Sequence, residues 1–168
     1  MKTTLTYDDV LLVPQYSNIR SRSEVNLSNN LGGFDFKLPL IASPMDTVSE
    51  VNMARAMWKN GGVAVIHRYN TVEAQCEMLA SVAPSVIAGA AIGVVGDYQK
   101  RGKALYAAGA DFLCIDVAHG HHILTKEALS YLRTIVHPSY HIMAGNVATL
   151  EGFNDLADWG ADSIRCNI

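Results

Sequence analysis

Chemically capable residues recur in this chain directly after short apolar runs. They are Ser43-Pro44-Met45-Asp46, His67-Arg68, Gly93, Asp116 with His119-Gly120-His121-His122, Gly145-Asn146, and Arg165-Cys166-Asn167. Carboxylates accept hydrogen bonds, a guanidinium donates them, and an amide does both. The set suits a site that holds a polar, planar ligand through directional hydrogen bonds. No Ser–His–Asp order is discernible. A thiol nucleophile at Cys166 is not expected, because Asn167 and Ile168 offer nothing to activate it.

The apolar runs that must position these residues are 38–42, 63–66, 86–93, 112–117, 141–147 and 163–168, starting about every 25 residues. A strand, a loop and one short helix use about that length, so the spacing predicts a βα repeat. Eight such units close a (β/α)8 TIM barrel of roughly 200 residues plus extensions. This chain supplies six, which predicts an α/β fold built as an incomplete barrel over 38–168. Residues 1–37 form a lead segment with a hairpin turn at Gly32-Gly33. The lead could cap the N-terminal ends of the strands or pack on a neighbouring subunit. A doubly wound open sheet is the rival architecture, but no GxGxxG follows the first strand.

The intervening segments carry helix signals. Thr47-Val48-Ser49-Glu50 fits a capping box, followed by an apolar face of Val51, Ala54, Met57 and Trp58 and a stop at Gly61-Gly62. A second apolar face joins Leu124, Ala128, Leu132 and Ile135, ended by His137-Pro138. The sequence Gly-Ala-Asp occurs at 109–111 and again at 160–162, two βα units apart.

Composition narrows the class. With 49% hydrophobic and 17% charged residues the chain is globular, and a net charge of -3 gives no case for nucleic acid or an anionic membrane. No apolar stretch approaches the roughly 18 residues of a membrane span. The start is too polar for a signal peptide, and three dispersed cysteines without a CxxC pair suit reduced thiols in the cytoplasm. Cys114, inside an apolar run, reads as a buried inert thiol.

Each candidate also has a structural reading. Asp46 could only assist the helix cap, and His67 could be a satisfied polar residue at a strand end. A carboxylate after 112–115 is costly unless paired, so Asp116 reads as a ligand or network residue. The His119, His121, His122 pattern reads as a loop turning at Gly120 rather than as a zinc site, and no metal ligand set is assigned.

At these strand ends the sequence resembles the IMP dehydrogenase/GMP reductase family. The matching pieces are Thr6-Tyr7-Asp8-Asp9-Val10-Leu11-Leu12-Val13-Pro14, Ser21-Arg22-Ser23-Glu24-Val25 and Ser43-Pro44-Met45-Asp46-Thr47-Val48-Ser49-Glu50. Further pieces are Gly89-Ala90-Ala91-Ile92-Gly93-Val94, Asp116-Val117-Ala118-His119-Gly120-His121, Ala144-Gly145-Asn146-Val147-Ala148-Thr149 and Gly160-Ala161-Asp162. They fall in family order along nearly the whole chain. The resemblance implies a barrel binding a purine nucleotide, IMP or GMP, and a nicotinamide cofactor, NAD or NADP. It implies substrate contacts at Ser43, Met45, Asn146 and Arg165, and cofactor contacts at Asp116, His119, Gly120 and His67. It also implies a homo-oligomer, typically a tetramer, when complete, with potassium possible there.

Two branches divide the family: IMP dehydrogenases oxidise IMP to XMP with NAD, and GMP reductases convert GMP to IMP and ammonia with NADPH. The 43–50 motif is closer to the dehydrogenase pattern, whereas 21–24 and 31–33 look more like a reductase. Residues 72–81 pass directly to the third strand, so the regulatory modules that most dehydrogenases insert there are absent. The reading taken is the dehydrogenase, with GMP reductase as the alternative. In the family a Gly-rich loop with the nucleophilic cysteine follows the sixth strand, which places the catalytic residue beyond Ile168. Cys166-Asn167 also replaces the usual Val-Gly. The isolated chain is therefore expected to be inactive, either as a truncated oxidoreductase or as a non-enzymatic subunit that pairs with an intact relative.

Overall fold

Strand and helix alternate through most of the chain. The computed structural model describes residues 6–31, 33–82 and 84–166. Two short strands, β1 (Asn29–Leu31) and β2 (Phe34–Phe36), pair antiparallel around Gly33, whose φ of 89° suits glycine. Asn30 Nδ2 donates to Asp35 Oδ1 across the pair at 2.8 Å. The main sheet holds β3 (Ile41–Ala42), β4 (Val63–Ile66), β5 (Ala88–Ile92), β6 (Phe112–Asp116), β7 (Ile142–Val147) and β8 (Ser163–Cys166). All five pairings are parallel and follow chain order without reversal. A doubly wound sheet reverses its order at a switch point, so that rival is excluded. Helices α1 (Val51–Lys59), α2 (Val72–Ser81), α3 (Tyr98–Ala107), α4 (Ile123–Ile135) and α5 (Leu150–Asp158) make the crossovers.

The sheet curls. Ile41 and Ser43 from its first edge, and Ser163, Ile164 and Arg165 from its last, line one cavity of about 230 Å³. An open, incomplete TIM-barrel-like fold is the result, as the repeat predicted. Period-two alternation sorts its side chains. Val63, Val65, Ala91, Phe112, Cys114 and Met143 pack together on the concave side. Ala64, Ile66, Ala90, Ile92, Leu113, Ile115 and Ala144 pack outward against Ala54, Leu79, Leu105, Leu129 and Leu156 of the helices. Both faces are buried, which is why these strands read as continuous apolar runs.

The end of the barrel at the strand N-termini is closed by aromatic contact. Phe34 of β2 lies 6.0 Å from the Phe112 ring and 6.5 Å from His141. A Cβ on Gly89 would stand 2.4 Å from that Phe112 ring, so glycine makes the room. The hairpin of the lead segment thus sits at this floor. The repeated Gly-Ala-Asp has one shared structural use. Asp111 Oδ2 accepts from Ala88 N–H at 2.8 Å, and Asp162 Oδ2 accepts from Ile142 N–H at 2.7 Å. Each carboxylate tethers its own strand to the start of the preceding one, and Gly109 and Gly160 before them have φ of 86° and 105°.

Helix entry departs from expectation in one place. Thr71 and Thr149 cap α2 and α5 through Oγ1, accepting from Ala74 and Gly152 N–H. The capping box at Thr47 does not form: the N-cap of α1 is Glu50, and Thr47 lies at φ 60° in the preceding turn. Met45 O accepts the N–H groups of Val48 and Ser49, and the Ser49 hydroxyl donates to Ser43 O. That turn consumes the residues a cap would need, and Glu50 faces His67 instead. Among the described residues no helix is long and apolar enough to cross a membrane.

Candidate active site

The C-terminal ends of the strands form a polar rim, and its centre is set by one row of the sheet. Asp116 of β6 pairs in register with Gly145 of β7, and Gly145 with Arg165 of β8. All three positions face the concave side. Gly145 offers no side chain, so Arg165 Nη1 reaches over β7 and pairs with Asp116 Oδ1. A Cβ at Gly145 would stand 2.6 Å from Arg165 Cβ. Beneath the pair lies Cys114, fully buried, its thiol pushed up to about 12 by desolvation. It stays neutral at physiological pH and offers no nucleophile.

A second cation joins this centre from the loop after β4. Arg68 Nη2 donates to the Asp116 carbonyl at 3.2 Å, and its guanidinium lies over Gly93, where a Cβ would meet Nη1 at 3.3 Å. Its carbon Cζ is 5.2 Å from the Tyr69 ring centroid. Arg68 Nε is buried with no hydrogen-bond partner in the protein, and so is Asn146 Oδ1. Buried polar atoms without partners are uncommon and costly. A donor and an acceptor both left over at one rim are what a bound polar ligand would satisfy.

The loop after β6 is fitted against β7. Gly120 N–H donates to Asn146 O at 2.7 Å, and Asn146 N–H donates to Val117 O at 2.7 Å. A Cβ on Gly120 would come within 2.8 Å of Asn146 O, so only glycine allows this approach. The three loop histidines separate by task. His121 Nε2 pairs with Asp155 Oδ2 of α5 at 2.8 Å, His122 Nδ1 caps α4, and His119 is exposed.

His67 lies apart from the Asp116–Arg165 centre. Only 2% exposed, its Nδ1 accepts from Tyr69 N–H at 3.2 Å, which leaves Nε2 as the protonated nitrogen. Nε2 faces Glu50 at 3.3 Å and Asp46 at 3.8 Å. Ligand atoms of these three residues lie within 4.8 Å of one another. With Nδ1 accepting from Tyr69, Nε2–H is turned toward Glu50, with Asp46 close by. Ser43 and Met45 stand exposed at the β3 end, and Ser43 shares the cavity wall with Arg165. The structure therefore gathers Asp116, Arg165, Asn146 and Gly120, with Ser43 beside them. Arg68 belongs to this group although sequence reasoning assigned it no ligand role. Its signal was a basic residue directly after a strand-end histidine. Asn167 lies outside the described residues.

The family model described as IMP dehydrogenase / GMP reductase domain matches residues 4–168. The chain belongs to that family. Similar proteins include the GMP reductases of Mycoplasma mycoides (32% identical over 165 residues, 96% of this chain and 51% of that protein) and of Paracidovorax citrulli (34% over 164 residues, 96% and 50%). The solved structure of inosine 5' monophosphate dehydrogenase from Legionella pneumophila superposes with a TM-score of 0.86 at 40% identity. That match covers 95% of this chain and 49% of that one. The chain spans about half the length of the relatives it matches.

Proposed function

We propose that this chain contributes six βα units to a GMP reductase, which converts GMP, NADPH and two protons to IMP, NADP⁺ and ammonium. The observation that carries the direction is the run of GMP reductases, 30–34% identical over nearly the whole chain. The direct β4–α2–β5 connection supports it, because most dehydrogenases carry inserted modules there. The dehydrogenase preference drawn from residues 43–50 gives way on that ground.

The residues fit a nicotinamide cofactor and a mononucleotide. The cofactor supplies the hydride when bound; the protein orients and neutralises. Asp116 Oδ2, not engaged by Arg165, would accept from a ribose hydroxyl. Arg68 Nε and Asn146 Oδ1 supply a donor and an acceptor at the same rim, with Asn146 toward the purine. His119 and the Gly120 backbone flank the cofactor, Ser43 and Met45 flank the nucleotide, and His67 steadies the β4 end. Arg165 would hold the Asp116 carboxylate in place through Oδ1. A cytoplasmic homo-oligomer is the setting in which the complete enzyme would work.

Isothermal titration of the chain with GMP, IMP, NADPH and NAD tests the assignment. Tighter binding of GMP and NADPH is expected, without steady turnover. A preference for IMP and NAD would favour the second reading, IMP dehydrogenase, to which the 40% identity with the Legionella enzyme points. Binding of none of the four would overturn both.

A further inference from the structure

Gln75 of α2 is an uncharged polar residue with no solvent exposure, aimed at the sheet. Its Nε2 donates to two carbonyl oxygens on neighbouring strands, Ile66 O at 3.2 Å and Ala91 O at 2.9 Å. Ile66 is the last residue of β4, two positions before Arg68, and Ala91 lies two positions before Gly93. The amide thus joins the strands just where their rim loops part. Its other end is fixed as well. Arg101 of α3, 6% exposed, donates from Nη1 to Gln75 Oε1 at 2.7 Å.

Arg101 is itself saturated by the two rim loops. Its Nη2 donates to Asn70 O at 2.8 Å in the loop after β4 and to Asp97 Oδ2 at 2.9 Å in the loop after β5. Nε reaches Asp97 Oδ1 at 3.3 Å. A buried guanidinium and a buried amide are costly unless every group is met, and here each is met by a strand end, a rim loop or the other. The packing core has no need of them. Helices α2 and α3 already bury Leu79 and Leu105 against the sheet.

We propose that Gln75, locked by Arg101, is a positioning residue that fixes the relative heights of the β4 and β5 tips, and through them the seat of Arg68. The Arg68 guanidinium rests on Gly93 and donates to Asp116 O, so its placement depends on both tips at once. A slip between the strands would draw it off the Asp116–Arg165 centre. The ligand-binding consequence rests on the cofactor reading above; the mechanical one does not.

The test compares Gln75→Glu and Gln75→Met with the unaltered chain. Gln75→Glu keeps the length and the Arg101 partner but turns an acceptor toward both carbonyls. Gln75→Met keeps the volume and removes both ends. Hydrogen exchange is followed at residues 67–70 and 93–97, with residues 141–143 at the barrel floor as reference, and NADPH and GMP binding by titration. Rim amides should exchange about tenfold faster in both variants while the floor changes less than about twofold. Binding of NADPH should weaken by about tenfold, and the melting temperature should fall in both variants while the native fold is kept at the assay temperature. Unchanged rim exchange, or rim and floor loosening together, overturns the proposal, as does failure of both variants to fold. If the unaltered chain binds neither probe, the functional reading falls and rim exchange still decides the positioning role.

Discussion

Asp116 and Arg165, on strands separated by β7, are ion-paired with each other across a glycine. The pair is shielded, with side chains 16% and 23% exposed, so its loss should be felt in stability. Asp116→Asn or Arg165→Met should each cost about 1–3 kcal/mol, less than for a fully buried pair. The double variant should cost less than the sum, by about 1 kcal/mol, in urea denaturation. Additive losses would mean the two groups are not coupled. Gly145→Ala, which drives a methyl into Arg165, should reproduce the single-variant loss.

Gly120→Ala tests the fit of the loop after β6. The new methyl would meet Asn146 O at 2.8 Å and Gly145 C at 3.0 Å, both backbone atoms that cannot rotate away. We expect a loss of about 1–3 kcal/mol and weaker cofactor binding. Chemical denaturation and NADPH titration check both; an unchanged midpoint would show that the loop stands free of β7.

Acid should weaken the floor through His141. The ring is buried, with Nε2 at 2.8 Å from Ser163 Oγ, and burial holds its pKa below the ordinary 6.5 while Asp162 and Arg133 pull in opposite directions. The unfolded chain therefore takes up the proton first as pH falls. Stability is full above about pH 6.5 and declines below it, until the folded-state pKa is passed. His141→Gln should flatten that part of the urea-midpoint profile, and a slope identical to the unaltered chain would refute the assignment.

Cys114 should resist alkylation in the folded chain. Its thiol is fully buried and, at a pKa of about 12, almost entirely protonated near neutrality. Iodoacetamide followed by mass spectrometry should leave it unmodified until denaturant is added. Modification at native rates would show that the barrel interior opens readily.

The six-strand rhythm was legible because parallel strands buried on both faces leave unbroken apolar runs, as 112–115 and 142–144 do. The rim residues were legible because each such strand must end in a loop. What could not be read was the partnership among them. Nothing in the spacing says that Gly145 clears a path from Arg165 to Asp116, since that depends on strand register. Thr47 looked like a helix cap because its chemistry is right, yet the Met45 carbonyl captured the adjacent N–H groups and delayed the helix. Gln75 gave no signal either; a glutamine on a helix is ordinarily solvated, and only the sheet behind it reveals its burial.

The rings of Phe34, Phe112 and His141 meet at one end of the structure, while the Asp116–Arg165 pair lies at the other. Aromatic packing and the candidate site thus lie at opposite poles of the same strands. A protein engineer could refill the aromatic pole with bulkier apolar residues to raise heat tolerance and leave ligand selectivity as it was.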